Sequence, residues 1–363
     1  MRILQVVNGE YYAGAERVQE HLVRELAARN YNVVVVALKD GVFFERSGLK
    51  ELKVVECLTM PSSFKDRIPS LHDLIVSFQP DIIHCHTPVG LFSSKLASVG
   101  VQKKWRWVYH VHSPVLKDTP SFIKNITKYM LERLSLSKSD RIICVSKAVQ
   151  RKTPYLYGKH RIKSSVVHNG VPVVQKQNSL LLKKRVKLGF AGLIRPRKGL
   201  NVLVEAIAKC DKKVRDNLEL NVWGEFESCA YENEIISLID RLGLRETIQF
   251  HGFKKDIQAC IASVDLFVIP SLYGEGLPMV LLEAMSVGRP VLASGIDGIP
   301  EALEDDVSGC LVTAGDVSGL ASTITRLVDK PEILKTLGEQ ALFCQRQFFS
   351  VESMCEGVVQ QYG

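Results

Sequence analysis

At 363 residues the chain exceeds what one hydrophobic core usually serves, which predicts two domains of about 150–200 residues each. A composition of 46% hydrophobic and 24% charged residues excludes a disordered chain, a collagen-like repeat and a disulfide mini-scaffold. The net charge of +8 is uneven: 27 basic and 14 acidic side chains precede residue 181, and 20 and 25 follow it. A strongly basic half joined to a mildly acidic one suggests that one domain meets an anionic surface or substrate.

From the N-terminus, Ile3–Val7 reads as a strand, followed by a polar loop and an amphipathic helix from about Ala15 to Arg29. The start, MRILQVVNGEYYAGAER, has no secretory signal, and no apolar run approaches the ~20 residues of a membrane span, so a cytoplasmic location is expected. The nine cysteines contain no CxxC and read as small buried hydrophobes. Val33–Leu38 is an unbroken apolar run, the mark of a strand buried on both faces of a parallel sheet. Further strands are predicted at Ile82–Cys85, Trp107–Val111, Ile142–Val145 and Ser165–His168. This is the rhythm of an open doubly wound α/β domain over 1–172.

Eight of the nine histidines lie in this half. His84 and His86 alternate on one strand, as do His110 and His112 on the next. Either of the second pair could approach a cleft as a polar or acid–base group, or be a structural histidine bonded to backbone. A four-histidine metal site lacks a supporting carboxylate, and no metal is expected. Lys103-Lys104-Trp105-Arg106-Trp107 mixes cations with aromatics in a way that suits a membrane interface. Phe122–Leu136 places Phe122, Ile126, Tyr129, Met130 and Arg133 or Leu134 near one stripe, which reads either as a core-facing helix with a solvated basic face or as a membrane-contacting one.

Residues Pro172 to Lys187 break the rhythm and read as a linker. Strands are then predicted at Leu188–Ala191, Leu218–Trp223, Ile248–Phe250, Leu266–Ile269 and Val291–Ala293, giving a second doubly wound domain over 185–340. The tail, 341–363, is expected to be helical and to pack back on the first domain. The first of these strands leads into Gly192-Leu193-Ile194-Arg195-Pro196-Arg197-Lys198-Gly199, a set of cations suited to a diphosphate, although Arg197 alone reads better as part of a solvated loop. The fourth leads into Ser271-Leu272-Tyr273-Gly274-Glu275-Gly276-Leu277-Pro278, where Pro278 suits a first helical turn and Gly276 allows backbone to approach a ligand. The helix that follows, Met279–Val287, is apolar almost all round yet carries Glu283. A buried carboxylate needs a partner, either an internal salt bridge or the vicinal hydroxyls of a ribose. Neither GxGxxG nor GxxxxGK[ST] occurs, which disfavours a nicotinamide dehydrogenase and a P-loop NTPase, and no Asp-x-Asp is present to hold a metal–diphosphate.

Gly14-Ala15-Glu16-Arg17, His168-Asn169-Gly170-Val171, Gly192…Arg195…Lys198-Gly199, His251-Gly252-Phe253, Glu275-Gly276-Leu277-Pro278, Glu283-Ala284-Met285 and Gly288-Arg289-Pro290-Val291 together resemble the retaining glycosyltransferases of the GT4 family, glycosyltransferase group 1. The likeness implies a GT-B fold, two Rossmann-like domains facing across a cleft. It implies that a nucleotide-diphosphate sugar, most commonly a UDP-sugar, is bound as a substrate, with no cofactor. By the same resemblance Arg195 and Lys198 neutralise the diphosphate, Glu283 holds the ribose and Glu275 contacts the donor sugar. Gly192, Gly276, Leu277, Pro278 and Met279 line sugar and phosphates, Gly14 approaches them, and Gly252 and Phe253 border the base. His112 matches the histidine near the reacting sugar, with His110 as its alternative. The expected acceptor is a glycan or lipid-linked saccharide of a bacterial-type surface polysaccharide, reached by a cytoplasmic enzyme peripheral to an anionic membrane and not bound to nucleic acid. Two rivals are a GT-B nucleotide-sugar epimerase and a nucleic-acid-binding module using the basic half.

Overall fold

The computed structural model describes residues 1–114, 122–136, 140–153, 163–174 and 185–363. Most of the expected linker, residues 175–184, lies outside the described residues. The chain forms two compact units: Met1–Gly170 with Val351–Gly363, and Val171–Ser350.

In the first unit β1 (Arg2–Val7), α1 (Gly14–Ala28) and β2 (Asn32–Ala37) follow as the hydrophobic pattern dictates. The β2 run of valines is buried on both faces, because helices cover each side of a parallel sheet. Then come α2 (Phe43–Ser47), β3 (Val55–Thr59), α3 (Phe64–Phe78), β4 (Ile82–Cys85), α4 (Pro88–Ala97), β5 (Arg106–Val111), α5 (Phe122–Leu136), β6 (Arg141–Cys144), α6 (Lys147–Lys152) and β7 (Lys163–Val166). The sheet order is β3-β2-β1-β4-β5-β6-β7 with parallel pairing, so the order reverses between β1 and β4. Loops at the carboxyl ends of these two strands part there and leave a crevice where ligands bind in such sheets.

The second unit contains β8 (Val186–Ala191), α7 (Leu200–Lys209), α8 (Lys212–Arg215), β9 (Leu218–Trp223), α9 (Cys229–Arg241), β10 (Ile248–Phe250), α10 (Ile257–Ile261), β11 (Leu266–Ile269), α11 (Met279–Ser286), β12 (Val291–Ser294), β13 (Cys310–Val312), α12 (Val317–Asp329) and α13 (Pro331–Phe348). Its order, β10-β9-β8-β11-β12-β13, has the switch between β8 and β11. Leu188, Leu220, Val268, Leu292, Leu203 and Ile324 lie in one buried cluster that joins sheet and helices. The position expected to end this domain, residue 340, falls inside α13, which belongs wholly to the second unit.

The last helix, α14 (Val351–Tyr362), returns to the first unit. It is held there by Arg29, which reaches the Glu352 carbonyl and the Glu356 carboxylate, and by Tyr362, which is buried against β4. Strands β3 and β13 were not expected. Both are short: Glu56 interrupts the apolar residues of β3, and the three residues of β13 are too few to show a period. All nine cysteines are free, but Cys229 is exposed, contrary to the reading of every cysteine as a buried hydrophobe.

Helix α5 departs furthest from its pattern. Ile123, Ile126, Met130 and Leu134 face outward, Ile123 76% and Leu134 69% exposed, while Asn125, Glu132, Ser135 and Leu136 are buried. Glu132 accepts a hydrogen bond of 2.6 Å from the Tyr109 hydroxyl of β5, which explains how a carboxylate tolerates the inner face. The core-facing reading of this stripe is therefore reversed. The neighbouring cation–aromatic stretch is spoken for internally. Lys103 bonds the Gln79 carbonyl and Asp81, Arg106 bonds the Gly363 carbonyl, and Trp107 is buried under Lys95, leaving Lys104 exposed.

Candidate functional site

The second unit assembles its site at the β8/β11 switch. Residues after β8 turn sharply at Gly192 and Gly199, both left-handed. A Cβ on Gly199 would lie 2.0 Å from the Pro270 carbonyl oxygen, so only glycine lets the β8 loop touch the end of β11. That contact sets Lys198 beside Glu275. The ammonium donates to Glu275 Oε1 at 2.7 Å, Ser271 Oγ donates to the same oxygen at 2.7 Å, and Arg197 Nη1 lies 3.7 Å from it. Glu275 is almost fully buried. Burial opposes its charge, but the Lys198 and Arg197 cations prevail and hold its carboxyl below the usual carboxylate range. Burial pushes the Lys198 ammonium down in turn, against the pull of Glu275.

Arg197 is not a solvated side chain. It donates to the Gly274 carbonyl at 3.1 Å and braces the Glu275 loop from the β8 side. Asp297, after β12, braces it from the other: its Oδ2 accepts from the Gly274 and Glu275 amides at 2.8 and 2.9 Å. Ser271, Arg197 and Asp297 are thus site residues that the sequence did not single out. Only Ser271 and Arg197 carried a signal, by adjoining the two loops.

Arg195 pairs with Glu227 at 3.3 Å, on a loop stitched to the β8 loop by Ile194–Glu225 and Glu227–Ile194 backbone bonds. Gly252 closes against Gly224, whose amide donates to its carbonyl at 2.8 Å, and Phe253 follows it half-buried. The Trp223 and His251 rings stack beside this turn with centroids 5.6 Å apart. Gly276, Leu277 and Met279 are buried. Pro278 is the residue just ahead of α11 and not in its first turn. Its carbonyl begins the helix while the first-turn amides point toward the Glu275 loop's end. Glu283, fully buried, lies one turn into α11. One unit therefore brings together two cation-bearing loops, a clamped carboxylate and a helix N-terminus with a buried carboxylate behind it. Such a set can hold a diphosphate and a polyhydroxylated group.

In the first unit Gly14 is exposed and opens α1. His84 and His86, at the end of β4, and His110 and His112, at the end of β5, form one stack of imidazoles with neighbouring centroids 4.4–5.4 Å apart. His110 is buried, and neither of its ring nitrogens has a hydrogen-bond partner among the described residues, so it is not the backbone-bonded histidine considered above. His112 is only partly buried. Burial of the rings, first among causes, lowers all four pKa values, His112 to about 4, so the stack is neutral at pH 7. Among the described residues, His84, His86 and His110 are the group close enough to share a cation, with ring nitrogens within 4.8 Å of one another. Their ring planes are inclined to one another by 11–31°. No described helix is long and apolar enough to cross a membrane.

The model of glycosyltransferase family 4 matches residues 12–175, and that of the glycosyl transferases group 1 matches residues 174–342. The chain is 29% identical over 290 residues to EpsD of Bacillus subtilis (strain 168), covering 74% of this chain and 73% of that protein. It is 29% identical over 211 residues to the D-inositol 3-phosphate glycosyltransferase of Mycobacterium sp. (strain KMS), covering 55% of this chain and 47% of that one. Among solved structures it is similar to Anabaena HepE in complex with UDP-glucose, with a TM-score of 0.86, 23% identity and coverage of 99% and 98% of the two chains. With the two family models spanning consecutive stretches and two parallel sheets each covered by helices, the chain belongs to the family 4, group 1 glycosyltransferases and has the GT-B fold.

Proposed function

We propose that the protein is a retaining glycosyltransferase that moves a sugar from a nucleotide-diphosphate sugar, a UDP-sugar, to a glycan or lipid-linked saccharide of a bacterial-type surface polysaccharide. The observation that carries the donor half is the Lys198–Glu275 pair between its two braced loops. An ammonium has three donors, and only one is given to Glu275, so two remain for diphosphate oxygens. Arg195 adds a second cation, and charge on the leaving diphosphate is met by these side chains without a metal. Glu275 then faces the donor sugar and Glu283 the ribose hydroxyls, with Gly252 and Phe253 beside the base. The presence of UDP-glucose in the HepE structure supports the choice of UDP.

In the reaction the acceptor hydroxyl oxygen bonds to the anomeric carbon on the face from which the diphosphate departs. The hydroxyl proton passes to a leaving phosphate oxygen, and Lys198 and Arg195 stabilise the charge that develops there. The outward apolar face of α5, in the basic half of the chain, supports peripheral contact with an anionic leaflet and hence a lipid-linked acceptor.

The test is thermal stabilisation by UDP, GDP and ADP with and without EDTA, followed by turnover of the matching nucleotide sugars. UDP should raise the melting temperature equally in both conditions. Lys198→Ala should lose that shift and transfer at least ~10²-fold more slowly. Stabilisation that EDTA abolishes, or near-wild-type turnover by Lys198→Ala, would refute the donor assignment.

A further inference from the structure

The loop between β9 and α9, residues 224–228, is pinned to the β8 loop. Ile194 and Phe226 form a parallel bridge, closed by the Ile194 amide on the Glu225 carbonyl at 2.8 Å and the Glu227 amide on the Ile194 carbonyl at 2.9 Å. The Phe226 ring lies against Phe250 and Tyr231, with centroids 5.6 and 6.4 Å away. Ser228 Oγ caps α9 by accepting from the Tyr231 amide at 3.3 Å. Glu227 stands between the bridge and the cap, and these contacts set its carboxylate 3.3 Å from Arg195 Nη2.

Charge decides what this pair does. Arg195, Arg197 and Lys198 bring three positive charges, and Glu227, Glu275 and Asp297 bring three negative ones, so these six groups sum to zero. A diphosphate entering such a set meets no net attraction until one carboxylate gives up its cation. Two of the three are committed. Glu275 is buried and gathers Lys198, Ser271 and Arg197 on one oxygen, while Asp297 holds two amides of the Glu275 loop. Releasing either would leave a buried carboxylate unpaired or free that loop. The Glu227 side chain is 42% exposed, and among the described residues its carboxylate pairs with Arg195 alone. Water can take over such a carboxylate at little cost, because exposed ion pairs contribute little.

We infer that Glu227 is the exchange partner of Arg195: it holds the guanidinium while the site is empty, yields it to the donor diphosphate, and takes it back as the nucleoside diphosphate leaves. The inference rests on the reading of Arg195 as a diphosphate ligand. Glu227 acts through Arg195 and is a positioning residue that competes with the ligand, so it keeps the affinity for the spent nucleotide down. A guanidinium has five donors, and one that bridged carboxylate and diphosphate at once would make Glu227 an ally of binding instead. The two arrangements predict opposite signs when the carboxylate is neutralised.

The experiment is isothermal titration calorimetry of UDP into the full chain as wild type, Glu227→Gln, Arg195→Gln and the double variant, at about 50 mM and about 0.5 M NaCl. If wild type takes GDP or ADP in place of UDP, that nucleotide serves in every arm. Glu227→Gln should bind the nucleotide about three- to fivefold more tightly at low salt, and the gain should fade at high salt. Arg195→Gln should bind it at least ~10-fold more weakly than wild type. In that background Glu227→Gln should bring no gain, since no guanidinium is left to release. Equal or weaker binding by Glu227→Gln would overturn the exchange in favour of a bridging arginine. An undiminished gain in the Arg195→Gln background would overturn it in favour of direct repulsion between carboxylate and diphosphate. Unchanged affinity in Arg195→Gln would instead overturn the placement of Arg195 at the diphosphate.

Discussion

Asp297 has φ of +50°, in the left-handed region that a residue with a Cβ enters at a cost. It repays that cost through its Oδ2, which gathers the amides of Gly274 and Glu275 and so aims the Glu275 carboxylate toward Lys198. Charge-assisted bonds of this kind contribute about 1.5–3 kcal/mol each. Asp297→Gly removes them while relieving the backbone, so it separates the two effects. Both Asp297→Gly and Asp297→Ala should lower kcat/KM for the donor by roughly 10–100-fold, and Asp297→Asn by less, in steady-state kinetics at saturating acceptor. Full activity in Asp297→Gly would mean that the bonds do not position Glu275. Nothing in the sequence pointed to this residue. Its partners are main-chain amides 22 and 23 residues upstream, and a backbone donor leaves no mark on residue type. Lys198 and Glu275 were legible for the opposite reason, since a cation and a carboxylate each directly after an apolar strand announce themselves.

Among the elements, α5 shows where periodicity stops informing. The spacing of Ile126, Met130 and Leu134 gives a stripe at helical period but carries no sign, and the stripe is as regular facing water as facing a core. The sign came from Glu132, whose hydrogen bond to Tyr109 makes the polar face the inner one. If the outward face meets a bilayer, replacing Ile123, Met130 and Leu134 together by Ser should abolish co-sedimentation with anionic vesicles. The melting temperature should barely change, because exposed substitutions usually move stability by no more than ~0.5 kcal/mol each. Undiminished sedimentation of the triple variant would remove α5 from the membrane reading. The central strands were legible because they are buried on both sides. Strands β3 and β13 were not, since Glu56 interrupts the first and the three residues of the second are too few to show a period.

At the scale of the whole molecule the doubly wound order of both sheets was predictable from alternating apolar strands and amphipathic helices, and the two switch points gather the site loops as the topology requires. The two units should differ in their response to acid. His84, His86, His110, His112 and His21 all lie in the first unit, and burial lowers each below the 6.5 of a free histidine, His21 to about 3. A native state that refuses protons which the unfolded chain accepts is most stable above pH 6.5. It loses about 1.4 kcal/mol per pH unit per histidine as the pH falls toward 4. Calorimetry from pH 7.5 to 4.5 should therefore show the transition of the first unit moving down steeply and separating from that of the second. A single transition with a flat pH dependence would contradict the neutral stack.

The return of α14 to the first unit also orders events during synthesis. Val171–Ser350 emerges as one contiguous stretch and can reach its native state as soon as it clears the ribosome, whereas the earlier-made unit still lacks the helix that seals β4 and supplies the Tyr362 hydroxyl to His84. The part translated first is the part finished last. Until then the apolar wall of the first sheet waits for its cover, which makes that interval the one in which a nascent chain would most need a chaperone.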